Sequence, residues 1–139
     1  MATQSSSHPD FPAENCIDGE TKGPVFDPSD GVTVRLCHTK NDIAPWIALH
    51  YVTPVTVQRV VLFNREDCCG ERTKEVKVRI SDELPRSGRQ LFTGGTLFGS
   101  FDGPADDGEK IVITGQNHSN DLLLICQAKR RLADTSLSR

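Results

Sequence analysis

The sequence predicts an all-β domain that folds as a sandwich or jelly roll. Short runs rich in β-branched and aromatic residues recur along its 139 residues, and turn clusters such as Gly94-Gly95 and Asp106-Asp107-Gly108 separate them. No window shows a sustained helical period. A chain of this length can bury one core of its own, and short strands with regular turn signals are typical of sandwiches and jelly rolls.

The first long apolar stretch predicts two strands. One covers residues 46–51 and begins with Trp46, whose side chain we expect in the core. Thr53-Pro54 is expected to end it, because proline offers no hydrogen-bond donor to a ladder. The second covers residues 55–63, which are rich in β-branched side chains.

The next predicted strand has the clearest alternation of the chain. Val76, Val78 and Ile80 alternate with Lys77 and Arg79. Because successive side chains of a strand point to opposite faces, the apolar three should face the core and the charged pair should face water. Shorter strands are predicted at residues 90–93, 97–101, 110–114 and 121–127.

Composition excludes several classes of function. The formal net charge is -3, which argues against a general phosphate binder, and we expect no nucleic-acid partner. Apolar runs are too short to span a bilayer, so no membrane insertion is expected, and the start lacks the pattern of a signal peptide. Five cysteines are many for a cytosolic chain of this size, which favours a secreted or extracellular protein.

The most informative segment runs from Asn64 to Arg72 and places two adjacent cysteines between two arginines. Adjacent cysteines can close only a very small, strained ring, which forms a hard, apolar, solvent-facing surface. Two guanidinium groups beside it, with the imidazole of His38 upstream, suit a small polyol with one apolar face. This combination indicates a sugar-binding site.

Each of these residues has a simpler explanation when it is taken alone. Arg65 and Arg72 would ordinarily be solvated charges paired with nearby carboxylates, and His38 a hydrogen-bonded loop histidine. Cys68 and Cys69 could each pair elsewhere or bind a metal, although the Cys-x-x-Cys spacing usual for zinc is absent. Their joint occurrence favours the sugar site.

The spacing of these residues resembles the signature of the F-type lectins, the fucolectin family. His38 is separated by 26 residues from Arg65-Glu66-Asp67, and four more residues, which include the cysteine pair, precede Arg72. Asn15-Cys16-Ile17-Asp18-Gly19 and Pro45-Trp46 resemble further segments of that family.

The resemblance extends over residues 2–128, which we expect to form one F-type lectin domain. It implies a discoidin-like β-sandwich jelly roll, in agreement with the pattern of predicted strands. Residues 129–139 are polar and basic, lie beyond the last predicted strand and are expected to be a disordered tail.

The resemblance implies terminal α-L-fucose as the ligand. Arg65 and Arg72 would donate to hydroxyl and ring oxygens, because a guanidinium can fork onto two adjacent oxygen atoms. Neutral His38 would meet a hydroxyl group through one ring nitrogen. The disulfide ring of Cys68 and Cys69 would stack on the apolar edge of the sugar.

Two more residues complete the expected site. Asp67 would orient an arginine and neutralise its charge rather than contact the sugar. Phe26 lies on the long loop before His38 and is a candidate to cover the methyl group of fucose.

The resemblance also implies a disulfide pattern. Cys68 would pair with Cys69, and Cys37 would pair with Cys126, which would tie the His38 loop to the last strand. Cys16 replaces a small core residue and is expected to be a buried free thiol.

A structural Ca²⁺ is the cofactor that the resemblance implies, because the family holds one beneath the sugar-binding loops. Calcium prefers hard oxygen ligands. Leu36 stands where the family usually has a serine ligand. The implied ligands are the carbonyl of Asn15, the carboxylate of Asp18, the side chain of Glu20, the carbonyl of Cys126 and the side chain of Gln127.

Three classes of function remain after this sequence analysis. The first is a lectin for fucosylated glycans and glycoproteins, which would need a homo-oligomer or tandem domains for avidity because one domain binds weakly. The second is a discoidin-like adhesion or lipid-binding module with a vestigial sugar site. An enzyme is disfavoured, because a glycosidase needs two carboxylates about the bond and the motif supplies only Asp67.

Overall fold

The computed structural model describes residues 1–19, 21 and 36–127, with side chains up to residue 115 and at Ile125. Strands predominate in this part of the chain, and its helical segments are two short 3-10 helices. The strands are β1 Ala2–Gln4, β2 Trp46–Phe63, β3 Val76–Ser81, β4 Thr96–Phe101 and β5 Lys110–Gln127, and the 3-10 helices are Ala13–Cys16 and Gly70–Arg72.

The strands form an antiparallel sheet in the order β1-β2-β5-β3-β4. The second half of β5 lies between β2 and β3, so that Cys126 pairs with Ile47 on one side and with Val78 on the other. The first half of β5 pairs with the second half of β2, as in the pair Ile113 and Val60. Register shifts in β2 and β5 bend these long strands into a second layer.

The main core lies between the two layers. A Cβ atom on Gly99 of β4 would lie 2.6 Å from the Ile113 side chain of β5, so the two strands approach each other closely. The buried cluster draws on β2, β3, β4 and β5 and consists of Val60, Val76, Val78, Ile80, Phe98, Ala105, Ile111 and Ile113. This two-layer packing confirms the predicted β-sandwich.

The strand predictions for the first apolar stretch are corrected in one respect. Residues 46–63 form one continuous strand, β2, and not two. The β2–β5 ladder shifts its register between His50 and Val55, so Pro54 falls where no regular ladder donor is needed. In the same way the predicted strands at residues 110–114 and 121–127 join into β5.

The alternating strand is confirmed as β3, and its apolar side chains are at most 4% exposed. Arg79 is half-buried and does not simply face water, because its Nη1 donates to the carbonyls of Thr93 at 3.4 Å and Gly94 at 3.3 Å. The predicted strand at residues 90–93 is wrong, and this segment is a loop held by Arg79.

Trp46 confirms its predicted place in a smaller second core. It packs with Ala48 and Ile125, and its indole N–H donates to the carbonyl of Ser87 at 3.2 Å. Among the described residues, no helix is long and apolar enough to cross a membrane. The predicted tail, residues 129–139, lies outside the described residues.

Candidate functional site

Asn64 anchors the segment that carries the arginines. Its Nδ2 donates to the carbonyl of Gly70 at 3.0 Å and to that of Asp106 at 2.9 Å, and its Oδ1 accepts from the hydroxyl of Thr73 at 2.9 Å. One side chain thereby closes residues 64–73, here called the motif loop, onto residues 102–109, here called the acidic loop. The motif loop is held from within and from below.

Gly70 is required where the two loops touch. Its N–H donates to Asp107 Oδ1 at 2.7 Å, and a Cβ atom at this position would lie 2.6 Å from the backbone of Asp106 and Asp107. Real side chains do not fit such a gap. The close contact fixes the height at which the following 3-10 turn presents Arg72.

Cys68 and Cys69 form a disulfide, as predicted, with Cα atoms 3.7 Å apart. Both residues are half-buried, so part of the ring faces solvent. Cys69 has a left-handed φ of 66°, and its carbonyl accepts from the N–H of Arg72 at 3.1 Å. The disulfide ring and Arg72 therefore belong to one tight turn.

Arg65 and Asp67 form a forked ion pair at the edge of this turn. Nε donates to Oδ1 at 2.8 Å and Nη2 donates to Oδ2 at 2.7 Å. The hydrogen bonds from Arg65 lower the pKa of Asp67 to about 2, and the same bonds raise the pKa of Arg65. This is the contact that the orienting role expected of Asp67 requires, and it leaves the Nη1 edge of the guanidinium outside the pair.

His38 is fixed through its main chain to the N-terminal loop. Its N–H donates to the carbonyl of Phe11 at 3.2 Å, and its own carbonyl accepts from the N–H of His8 at 3.3 Å. The side chain of Gln4 on β1 donates to both carbonyls, at 3.0 Å for Phe11 and 3.4 Å for His38. The loop of His38 thus lies against residues from the start of the chain.

The ring of His38 has a defined orientation. Its Nδ1 hydrogen-bonds to the carbonyl of Thr39, which can only accept, so Nδ1 carries the proton and Nε2 keeps a lone pair. Burial lowers the pKa of His38, the Thr39 bond opposes this, and the charges of Arg65 and Arg72 lower it further. The imidazole is neutral at pH 7, and it shares one electrostatic environment with both predicted arginines.

Sequence reasoning missed an aromatic wall beside His38. The ring centroid of Phe11 lies 5.8 Å from that of His38 and 4.7 Å from that of His8, and the two histidine rings are 6.1 Å apart. Two aromatic rings in a short loop directly after the opening strand were the available signal. Phe26, the residue expected to cover the methyl group, lies outside the described residues.

The predicted Cys37–Cys126 disulfide is wrong, and Cys16 is not a free thiol. Cys37 pairs with Cys16, and their Cα atoms are 5.3 Å apart. Asn15 explains the pairing, because its side chain donates to the carbonyl of Leu36 at 3.1 Å and brings the two segments side by side. Neither observed bridge includes Cys126.

The donors expected for calcium are only partly described. Glu20 and the side chain of Gln127 lie outside the described residues. In the described part, no three histidine, cysteine, aspartate or glutamate side chains come together as a metal site. The remaining donors are the carboxylate of Asp18 and the carbonyls of Asn15 and Cys126, which are hard oxygens of the kind that suits Ca²⁺.

Comparison with known proteins agrees with this geometry. The model of the NedA-like, galactose-binding domain family matches residues 15–111. Fucolectin-1 of Anguilla japonica is 35% identical over 51 residues, which are 37% of this chain and 29% of that protein. Fucolectin of Anguilla anguilla is 29% identical over 76 residues, which are 55% of this chain and 44% of that protein. The matches span less than half the length of these relatives.

A solved structure shows the same fold. The F-lectin from the serum of striped bass, Morone saxatilis, aligns with a TM-score of 0.73 and 24% identity over 94% of this chain and 41% of that chain. The matched family and proteins are sugar-binding domains, which confirms the prediction that this domain is not an enzyme. The family model covers more than half of the chain, so the chain belongs to the NedA-like, galactose-binding domain family, and its predicted resemblance to the F-type lectins is confirmed.

Proposed function

We propose that this domain is a lectin that binds terminal α-L-fucose on glycans. The observation that supports this most is the neutral His38 ring, whose lone pair on Nε2 lies in the same electrostatic environment as Arg65 and Arg72. One acceptor among guanidinium donors suits sugar hydroxyl groups, because each hydroxyl can donate one hydrogen bond and accept others.

The polar side of the site would read adjacent hydroxyl groups. One hydroxyl would donate to Nε2 of His38 while it accepts from a guanidinium. Arg72 is exposed, and Arg65 is held by the fork with Asp67, so one arginine can adapt and the other is fixed in advance. A preset donor loses less conformational entropy on binding.

The apolar side of the site would select the deoxy position. The Cys68–Cys69 disulfide ring and the rings of Phe11 and His8 offer apolar surface beside the arginines. A methyl group can be buried there without penalty. A hydroxymethyl group would place a hydroxyl against surface that offers it no matching partner, which costs about 1–3 kcal/mol.

Calorimetry with methyl α-L-fucoside tests this function. One shallow site should reach about −4 to −7 kcal/mol, or roughly millimolar to ten-micromolar dissociation constants. L-Galactose differs from L-fucose only in carrying a hydroxyl at the sixth carbon, so it is the matched ligand and should bind about tenfold or more weakly. No heat with tens of millimolar fucoside, or equal affinity for L-galactose, would reject the proposal.

Arg72→Ala is the matched protein variant. Removing an exposed donor to the sugar should weaken fucoside binding about tenfold or more, while the melting temperature stays that of the unmodified protein. A variant that unfolds would instead assign Arg72 a structural role.

Calcium would support this site from outside it. The carbonyls of Asn15 and Cys126 and the carboxylate of Asp18 would hold the ion, together with Glu20 and Gln127. A bound cation there would supply structural cross-linking only, because the proposed sugar contacts are hydrogen bonds from protein side chains.

Weak binding by one domain and two disulfides suggest the setting in which it works. Several copies, as tandem domains or a homo-oligomer, would give the avidity that one site lacks. Disulfides persist in oxidising compartments, which fits a secreted or extracellular location.

A further inference from the structure

Three consecutive residues of the His38 loop are each fixed by a different contact. Leu36 accepts a hydrogen bond from the side chain of Asn15 at 3.1 Å, Cys37 is joined to Cys16 by the disulfide, and the main chain of His38 bonds to the N-terminal loop. The disulfide lies one residue before the imidazole that we assign to the sugar.

The hydrogen bonds around His38 are too weak to position it alone. Its two main-chain bonds to the N-terminal loop measure 3.2 and 3.3 Å, and the bond from Gln4 to its carbonyl measures 3.4 Å. Ordinary N–H···O bonds are about 2.9–3.0 Å long. These contacts guide the loop, whereas a covalent bond can hold it against thermal motion.

Cys16 lies on an element with its own fixed place. It is the last residue of the 3-10 helix Ala13–Cys16, in which Ala13 is buried, and this helix packs against β1. A disulfide from this helix therefore connects the His38 loop to the sheet. The Cys68–Cys69 disulfide cannot do this, because it joins adjacent residues within the motif loop.

We propose that the Cys16–Cys37 disulfide positions His38 for sugar binding, as a support separate from the one that holds the arginines. The inference rests on the proposed function and adds residues that the motif does not contain. The disulfide does not touch the sugar. It fixes the backbone on which the imidazole stands, so Nε2 stays close to Arg65 and Arg72.

The test replaces both cysteines, Cys16→Ser and Cys37→Ser together, so that no single thiol is left to mispair and the Cys68–Cys69 disulfide remains. Calorimetry with methyl α-L-fucoside should show affinity about fivefold to tenfold weaker, which is about the effect of one hydrogen bond that is no longer held in place. The variant should keep the circular dichroism of a β-sandwich.

A second measurement separates positioning from general loss of stability. Proton NMR titration of the His38 ring should show its pKa rising towards the ordinary histidine value, because a loosened ring is less buried and farther from the two arginines. Ile111→Val is the control, because it weakens the core without touching the site. It should leave both the fucoside affinity and the His38 titration unchanged.

Equal affinity and an unchanged His38 titration in the double variant would overturn the inference. If the double variant does not fold, brief reduction and alkylation of the native protein replaces it, with the species labelled only at Cys16 and Cys37 isolated for the same assays. Undiminished binding by that species would equally overturn the inference. Failure of the unmodified protein to bind fucoside would reject the proposed function, and the His38 titration would still decide whether the disulfide positions the ring.

Discussion

The two halves of the candidate site are held in different ways. The motif loop is closed by Asn64 and by the contact of Gly70 with the acidic loop, through hydrogen bonds of 2.7–3.0 Å. The His38 half is assembled from separate parts of the chain by longer hydrogen bonds and one disulfide. A rigid half that carries the arginines therefore faces a half whose position depends on remote support, and perturbations should act on them unequally.

Breaking the rigid half should have the largest effect. Asn64→Ala removes three side-chain hydrogen bonds that join the motif loop to the acidic loop, and the free energy of unfolding should fall by about 3 kcal/mol. Urea unfolding measures the loss. Fucoside binding should disappear in the same variant, because both arginines lose their support.

Gln4→Ala is the matched change in the other half. It removes hydrogen bonds to the carbonyls of Phe11 and His38, and should cost about 1 kcal/mol of stability while weakening binding only a few-fold. If Gln4→Ala destabilised the protein as much as Asn64→Ala, the contrast between the halves would be wrong.

Chelation should act on the His38 half with an intermediate effect. If calcium binds at the Asn15 to Glu20 turn, removing it should lower the melting temperature, since a ligand at about 100 times its dissociation constant stabilises the fold by about 2.7 kcal/mol. Fucoside affinity should fall less. Lost binding at an unchanged melting temperature would make the metal a direct sugar ligand, and no change in either would exclude calcium from the domain.

Acid should give the smallest effect, also through the His38 half. Burial and the neighbouring arginines lower the pKa of His38, so its folded value lies below that of the unfolded chain. The stability and the Nε2 acceptor are present above pH 6.5 and are lost as pH falls through the lowered pKa. Fucoside affinity should therefore be flat from pH 8 to pH 7 and fall several-fold towards pH 5.

Two variants check the origin of this pH dependence. His38→Gln keeps an acceptor that does not titrate, so its affinity should be lower but independent of pH over the same range. His8→Phe keeps a ring in the aromatic wall and removes the second imidazole, and its pH profile should match that of the unmodified protein. Asp67 stays ionised throughout, because its pKa is about 2.

The sequence predicted the rigid half better than the assembled half, for a physical reason. Residues of the motif loop are close in the chain, so their spacing alone carried the arginines and the Cys68–Cys69 disulfide. The partner of Cys37 depends on which distant segment packs beside Leu36, and Asn15 decides this through one hydrogen bond that no local pattern reveals. His8 and Phe11 escaped notice because their rings come together only when the N-terminal loop folds onto His38.

Strand boundaries failed for a related reason. Pro54 is a strong local signal to stop, yet β2 continues through it because the register shift removes the need for its donor. Local chemistry indicates that a backbone bond is missing, but only the partner strand determines whether that bond was needed. The alternating residues of β3 required no such information, since burial on one face determines their pattern.

The bridge between His8 and Phe11 has a consequence for engineering this domain. Both ends of that small loop are bonded to the main chain of His38, while its tip, Pro9-Asp10, is exposed. Side chains at the tip can be exchanged at the rim of the site without disturbing the residues that hold the ring. These two positions are therefore suited to randomised libraries from which domains with new preferences for the neighbouring sugar could be selected.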